Sequence, residues 1–201
     1  MHVEVLLEEI SARVALDILL PRLLPEGATF ACHPHRGKND LLARLPGRLK
    51  NYARLLPASP DWYVVVLMDA DTDCKSRKKE LEHLAAGARL LTKTSAHPGQ
   101  KFQLLTRLAV AELEAWFLGD PVAIQAAYPR VHTNHFKGLP RDPDALSDTW
   151  ETLHRLLQKG GYYPVSAAKT EWAATIAPHL DPARSTSASF RYFCESLAAL
   201  R

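Results

Sequence analysis

Residues 64–73 hold the pattern in this chain most able to do chemistry. An apolar run, Val64-Val65-Val66-Leu67-Met68, ends at three acids set two apart, Asp69, Asp71 and Asp73. Like charges raise one another's pKa, so crowding three carboxylates is costly, and a divalent cation is the usual reason to tolerate it. The competing explanation is that two of the acids open a turn and cap a helix starting near Lys75. A further acid, Glu8, follows an earlier apolar segment at residues 2–7. If the two segments are adjacent parallel strands, Glu8 and Asp69-x-Asp71 meet at one sheet edge. Mg²⁺ takes such a set, a few carboxylate oxygens completed by waters and substrate phosphates.

The elements that must position these acids can be read in order. Residues 2–7 form a first strand ending at Glu8-Glu9. Ser11 is placed to cap a helix whose apolar positions, Val14, Ala15, Ile18, Leu19 and Leu23, keep helical spacing, with Pro21 and Pro25-Glu26-Gly27 limiting it. A second strand is expected at 28–33 and a helix at 40–55, with Arg44, Arg48, Lys50 and Arg54 on its polar side. The acid-tipped strand spans 63–68, and a charged helix spans 75–86 until Gly87 stops it. A short strand is expected at 88–92, then a polar loop at 93–101. A strand from Phe102 to Ala111 then rolls into a helix at 112–118. After Asp120 the pattern turns helical, at 122–128, 148–158, 167–177 and 189–200.

Strands alternating with helices at this spacing predict an α/β chain with a mostly parallel, Rossmann-like sheet whose strand C-termini share one edge. Residues 1–120 are assigned to that core, and 121–201 to a helical C-terminal cap packed on it. With 47% hydrophobic and 23% charged residues the chain can bury a core, which excludes a disordered class. A net charge of +3 permits nucleic-acid binding without demanding it. Cys32, Cys74 and Cys194 suit neither a disulfide framework nor a zinc finger, so a reducing cytoplasm is expected. No signal peptide and no membrane span are expected.

At Leu7-Glu8-Glu9 and Leu67-Met68-Asp69-Ala70-Asp71 the chain resembles the Toprim fold, in which a glutamate follows the first strand and Asp-x-Asp follows a later one. Topoisomerases, bacterial primases, small RNA maturases and OLD-type nucleases share that fold. More closely, the chain resembles a Toprim-like bacterial family of unknown function often encoded beside AAA or ABC-type ATPases. Further matching pieces are Gly37-Lys38-Asn39-Asp40-Leu41-Leu42, the segment from Arg107 to Trp116, and Ser187-Ala188-Ser189-Phe190. Glu9 stands where the Toprim glutamate is commonly followed by glycine, which leaves Glu8 and Glu9 in competition, with Glu8 preferred at the strand end.

The resemblance implies metal-dependent phosphoryl transfer. Glu8, Asp69 and Asp71 would hold one Mg²⁺ or Mn²⁺, and Glu114, with Glu112 or Asp73 behind it, would help hold a second. Lys169, or else Lys137, would be the lysine that steadies developing charge. Two ions about 4 Å apart activate a water and stabilise the leaving oxygen, so neither a triad nor a nucleophilic cysteine is required. The expected activity is a nuclease acting on DNA or RNA, working with an ATPase partner in bacterial anti-phage defence or repair. The rival is a non-catalytic subunit that binds an ATPase or nucleic acid, and a small phosphatase or nucleotide hydrolase is a third reading. Whether the chain forms a homo-oligomer stays open.

Lys38 follows Gly37 at a helix start, a place suited to phosphate oxygens but without the rest of a Walker A motif. Arg36 and Arg48 join it as expected phosphate contacts, against the ordinary alternative of a solvated basic face. Cys32-His33-Pro34-His35 invites a zinc reading, but a strand sends alternate residues to opposite faces. His132 and His135 are read as exposed loop residues, and Trp116-Phe117 as helix core.

Overall fold

The computed structural model describes residues 1–70 and 73–200. Its sheet is made of β1 (His2–Leu7), β2 (Thr29–Pro34), β3 (Trp62–Asp69) and β4 (Leu104–Ala109), in the order β2-β1-β3-β4 with every pairing parallel. Strands buried on both faces read as nearly continuous apolar runs, and the interior of β3 is buried from Tyr63 to Met68. Period-two alternation then sorts side chains between the faces. Val3, Val5, Leu7, Val65 and Leu67 belong to one apolar cluster, whereas Leu6, Val64, Val66 and Met68 belong to the other.

Helix α2 (Lys38–Leu55) and helix α3 (Cys74–Gly87) cover the second face through Leu41, Leu45, Leu49, Leu81 and Ala85. The first face is covered by α1 (Ile10–Leu23) and the C-terminal helices: α4 (Glu114–Leu118), α5 (Pro121–Ala127), α6 (Thr149–Lys159), α7 (Lys169–Ile176) and α8 (Ala188–Ala198). Trp172, Phe190 and Phe193 share one buried cluster with Val3, Leu7 and Leu67, so the last third of the chain packs directly on the sheet side. Trp116 and Phe117 are fully buried, and both Phe190 and Phe193 lie with ring centroids 5.0 Å from Trp116. The chain is therefore an α/β protein with a parallel, Rossmann-like sheet and a helical C-terminal part.

Two local expectations are corrected. Residues 88–92 do not form a strand; Thr92 makes only an isolated bridge to Leu104. The carbonyls at the end of α3 claim this segment first. Arg89 takes φ 58°, its N–H bonds to Ala86 O at 2.9 Å, and Leu90 N–H bonds to Ala85 O at 3.0 Å. That is a Schellman closure, with arginine where glycine is usual. Gly87 is the last residue of α3, and the left-handed turn that closes the helix falls at Arg89. Likewise Ser11 does not cap α1. Glu9 is the N-cap residue, and Ser11 sits within the first turn with its hydroxyl donating to the Glu9 carboxylate.

Candidate active site

Glu8 and Asp69 meet because β1 and β3 are neighbours in register. Leu7 pairs with Leu67, so the two chains leave the sheet together at its C-terminal edge. The Asp69 backbone N–H donates to Glu8 Oε2 at 3.2 Å. Glu9 is directed elsewhere, holding the Ser11 hydroxyl. The Glu8 carbonyl accepts from the N–H of Gly37, whose φ of 91° favours glycine, and Lys38 begins α2 immediately after it. The N-terminus of α2 is thus tied to the acid edge.

β4 extends the edge on the other side. Ala70 N–H bonds to Ala109 O at 2.8 Å, and the turn out of β4 passes through Ala111 at φ 59°. A left-handed alanine costs on the order of 1 kcal/mol, and it redirects the chain toward the short helix that carries Glu114. Glu114 is wholly inaccessible, and among the described residues neither of its carboxylate oxygens has a hydrogen-bond partner. Lys169, the first residue of α7, stands with Nζ 3.4 Å from Glu114 Oε1 and 4.0 Å from Glu112 Oε1.

The electrostatics follow from that crowding. Burial pushes the Glu114 carboxyl up to about 7, with Lys169 working against the rise. Asp69 keeps part of its surface open, yet its carboxyl is raised well above the usual range, first by burial and then by Glu8, Glu114 and Glu9. For Lys169, burial works to lower its affinity for the proton, but Glu114, Glu9, Glu112 and Asp69 together hold it above its ordinary value. Five carboxylates, Glu8, Glu9, Asp69, Glu112 and Glu114, and one lysine therefore form one electrostatic group.

The remaining expected residues divide. Glu112 serves α6: its Oε2 accepts from Thr149 Oγ1 at 2.6 Å and from Trp150 N–H at 3.1 Å, which leaves only Oε1 toward Lys169. Asp73 caps α3, accepting from Ser76 N–H at 2.9 Å. Asp71 lies outside the described residues. Lys137 is exposed on the loop after the 3-10 turn Thr133–Phe136, where the His132 and His135 rings lie tilted to each other with centroids 5.6 Å apart. Arg36 and Arg48 line an open cavity of about 440 Å³ with His35, Asp40 and Arg44, where Arg44 Nε holds Asp40 at 2.6 Å. Among the described residues no three His, Cys, Asp or Glu side chains form a group able to hold an ion. The donor set at the edge is nonetheless suited to a hard cation: oxygen-only, anionic, and including the orphaned carboxylate of Glu114.

Three polar clusters were not anticipated. Glu4 receives His2 Nε2 at 3.0 Å, Tyr52 Oη at 3.0 Å and His33 Nε2. Burial would raise its pKa, but these hydrogen bonds hold it below the usual value. The signal was His2-x-Glu4, which puts both side chains on one strand face. Asp144 accepts from Ser187 Oγ at 2.7 Å and Ser189 N–H at 2.7 Å, so the serine-rich segment anchors the start of α8. Asp120, nearly inaccessible, caps α5 and pairs with Arg184 at 2.9 Å.

Residues 7–198 match the model of a family described as a domain of unknown function, DUF4276. The chain belongs to the DUF4276 family. That match runs from the end of β1 to the end of α8 and so includes Glu8, Asp69, Glu114 and Lys169. No curated protein and no solved structure matches it. Among the described residues of this DUF4276 chain, no helix is long and apolar enough to cross a membrane.

Proposed function

We propose that this chain is a divalent-metal-dependent nuclease of Toprim type, hydrolysing phosphodiesters in DNA or RNA. The observation that carries the reading is the Glu114 carboxylate, buried without a hydrogen bond beside Lys169 and close enough to raise the pKa of Asp69. Buried carboxylates with perturbed pKa values at a strand edge are where such folds place chemistry. Glu8 and Asp69, with Asp71, are the residues that would hold Mg²⁺ or Mn²⁺, and Glu114 would help hold a second ion. Such ions supply an activated water and charge stabilisation on the leaving oxygen. The protein's own part is to orient and neutralise. Glu8 receives the Asp69 N–H, and Lys169 brings a fixed positive charge toward the phosphate as negative charge grows on it. Lys38, Arg36 and Arg48 would receive flanking phosphates. Cooperation with an AAA or ABC-type ATPase in bacterial defence or repair belongs to the same proposal and rests on resemblance.

The second reading, a non-catalytic subunit binding an ATPase or nucleic acid, has one observation in its favour: Lys169 already neutralises part of the acidic cluster. Isothermal titration with Mn²⁺ and a cleavage assay on labelled single- and double-stranded substrates separate the two. The nuclease reading expects cleavage that EDTA stops and that Asp69→Asn abolishes while the fold persists. Chelator-independent cleavage, or full activity in Asp69→Asn, overturns it. Mn²⁺ binding unaffected by Asp69→Asn supports the subunit.

A further inference from the structure

Strand β4 is the edge of the sheet, and its outer side is bordered by α3 and α8. An open groove of about 440 Å³ lies there. Its exposed lining is almost wholly apolar, from Leu108, Val110 and Tyr192 together with the stems of four cationic residues, Lys75, Lys78 and Lys79 of α3 and Arg107 of β4. Arg107 is 3% exposed and, among the described residues, forms no salt bridge. Its Nε donates to Ser196 Oγ at 2.7 Å and its Nη1 to Thr106 O at 2.7 Å, while Nη2 has no hydrogen-bond partner. Glu82, whose charge reaches Arg107, is spent on Lys78, Thr92 and Thr106. A buried guanidinium without a carboxylate is costly and calls for an anion. Burial lowers Lys78, with Glu82 opposing and the charge of Arg107 adding to the fall, and Lys93 is lowered by burial and then by Arg107.

The groove also offers a flat apolar surface. Tyr192 is 55% exposed, and its ring packs on the Arg107 guanidinium at 4.7 Å. Arginine and tyrosine faces laid together are suited to stacking a base. The residues that line the groove adjoin those of the acid edge in the chain on both sides. Cys74 and Lys75 follow directly on the Asp73 cap, and Val110 lies two residues before Glu112.

We propose that this groove binds a nucleotide, its phosphate received by Arg107, Lys75 and Lys79 and its base laid against Tyr192. The proposal rests on the nuclease reading for its biological sense, since it makes the groove the subsite for a residue flanking the scissile bond. Its test needs no cleavage. Fluorescence anisotropy of a labelled oligothymidylate of about 12 nucleotides is measured with EDTA present, on the whole chain. The substituted side chains of Lys75→Gln/Lys79→Gln and Tyr192→Ala are exposed, so the fold survives; circular dichroism checks that it does. The expected result is binding weakened about tenfold by Tyr192→Ala. For the double lysine variant, the slope of log affinity against log salt should become shallower by about 1.4. Binding of ATP in place of the oligonucleotide, lost in the same variants, keeps the nucleotide in the groove and names the free form as its source. Affinities within about twofold of wild type in both variants overturn the proposal, as does a wild type that binds neither probe. A poly-glutamate peptide that binds equally well and responds to the same substitutions also overturns it, in favour of an acidic partner. Groove binding intact with no cleavage under any metal counts against the nuclease reading alone.

Discussion

Lys169 Nζ lies 3.4 Å from Glu114 Oε1, and Glu114 is a carboxylate with no accessible surface. The pair spans α4 and α7, so it ties the C-terminal helices to the acid edge. Removing one partner of a buried pair leaves an uncompensated charge. Because Lys169 keeps about a third of its side chain open, Lys169→Met is expected to cost about 2 kcal/mol near neutral pH, less than a sealed pair. Adding Glu114→Gln should recover most of that loss. Urea denaturation of the two single variants and the double variant tests the coupling, and additive effects would rule it out.

The raised pKa of Glu114 has a direct consequence for the metal-free protein. The unfolded chain ionises this carboxyl near 4.5 and the folded chain near about 7. Between those values the folded state binds more protons, so stability present at low pH is lost as pH rises through the window. The loss attributable to Glu114 is on the order of 3 kcal/mol at most. Mn²⁺ should restore stability above the window by binding the ionised form. Denaturation curves between about pH 4.5 and 8 in EDTA test this. Glu114→Gln should flatten the slope, and an unchanged slope in that variant would assign it to other groups.

Asp69 should show opposed effects on stability and activity. Its carboxyl is raised by burial and by three neighbouring acids, so ionised Asp69 destabilises the metal-free fold. Asp69→Asn removes that charge while leaving the backbone N–H that donates to Glu8 in place. We expect a melting temperature higher by a few degrees in EDTA, of the order that about 1 kcal/mol produces, together with loss of Mn²⁺ stabilisation and of cleavage. A variant less stable than wild type in EDTA would mean that Asp69 is a structural acceptor and not a strained ligand.

Some of this was legible in the residues and some was not, for physical reasons. The pairing of Glu8 with Asp69 follows once two apolar strands lie parallel and adjacent; the strands and their direction are legible in the residues, whereas their adjacency, with β2 between them in the chain, had to be assumed. Asp73 as a helix cap is local and equally readable. The segment 88–92 misled because Leu90, Leu91 and Thr92 suit a strand, while the competing helix end depends on Arg89 accepting a left-handed φ. Glu112 looked like a ligand because its partner, the start of α6, lies 37 residues further on and cannot be inferred from spacing. Arg107 escaped notice for the reverse reason: its importance lies in the carboxylate it does not meet.

The serine-rich segment makes a last expectation possible, because it approaches Gly119 too closely for any side chain. A Cβ there would lie 2.8 Å from Ser187 N and 2.9 Å from Ser185 Oγ. Thr186 N–H bonds to Gly119 O at 2.8 Å, so backbone meets backbone and neither side can yield cheaply. Gly119 ends α4, whose first residue is Glu114. Gly119→Ala must therefore shift α4 or α8, at a cost of about 1–3 kcal/mol. If α4 is the element that moves, Glu114 moves with it, and Mn²⁺ affinity falls along with stability. If α8 moves instead, Tyr192 in the β4 groove is displaced, and oligonucleotide affinity falls while Mn²⁺ affinity holds. Measuring both affinities in this one variant shows which contact is the softer. Wild-type stability would mean that the 2.8 Å approach is not maintained in solution.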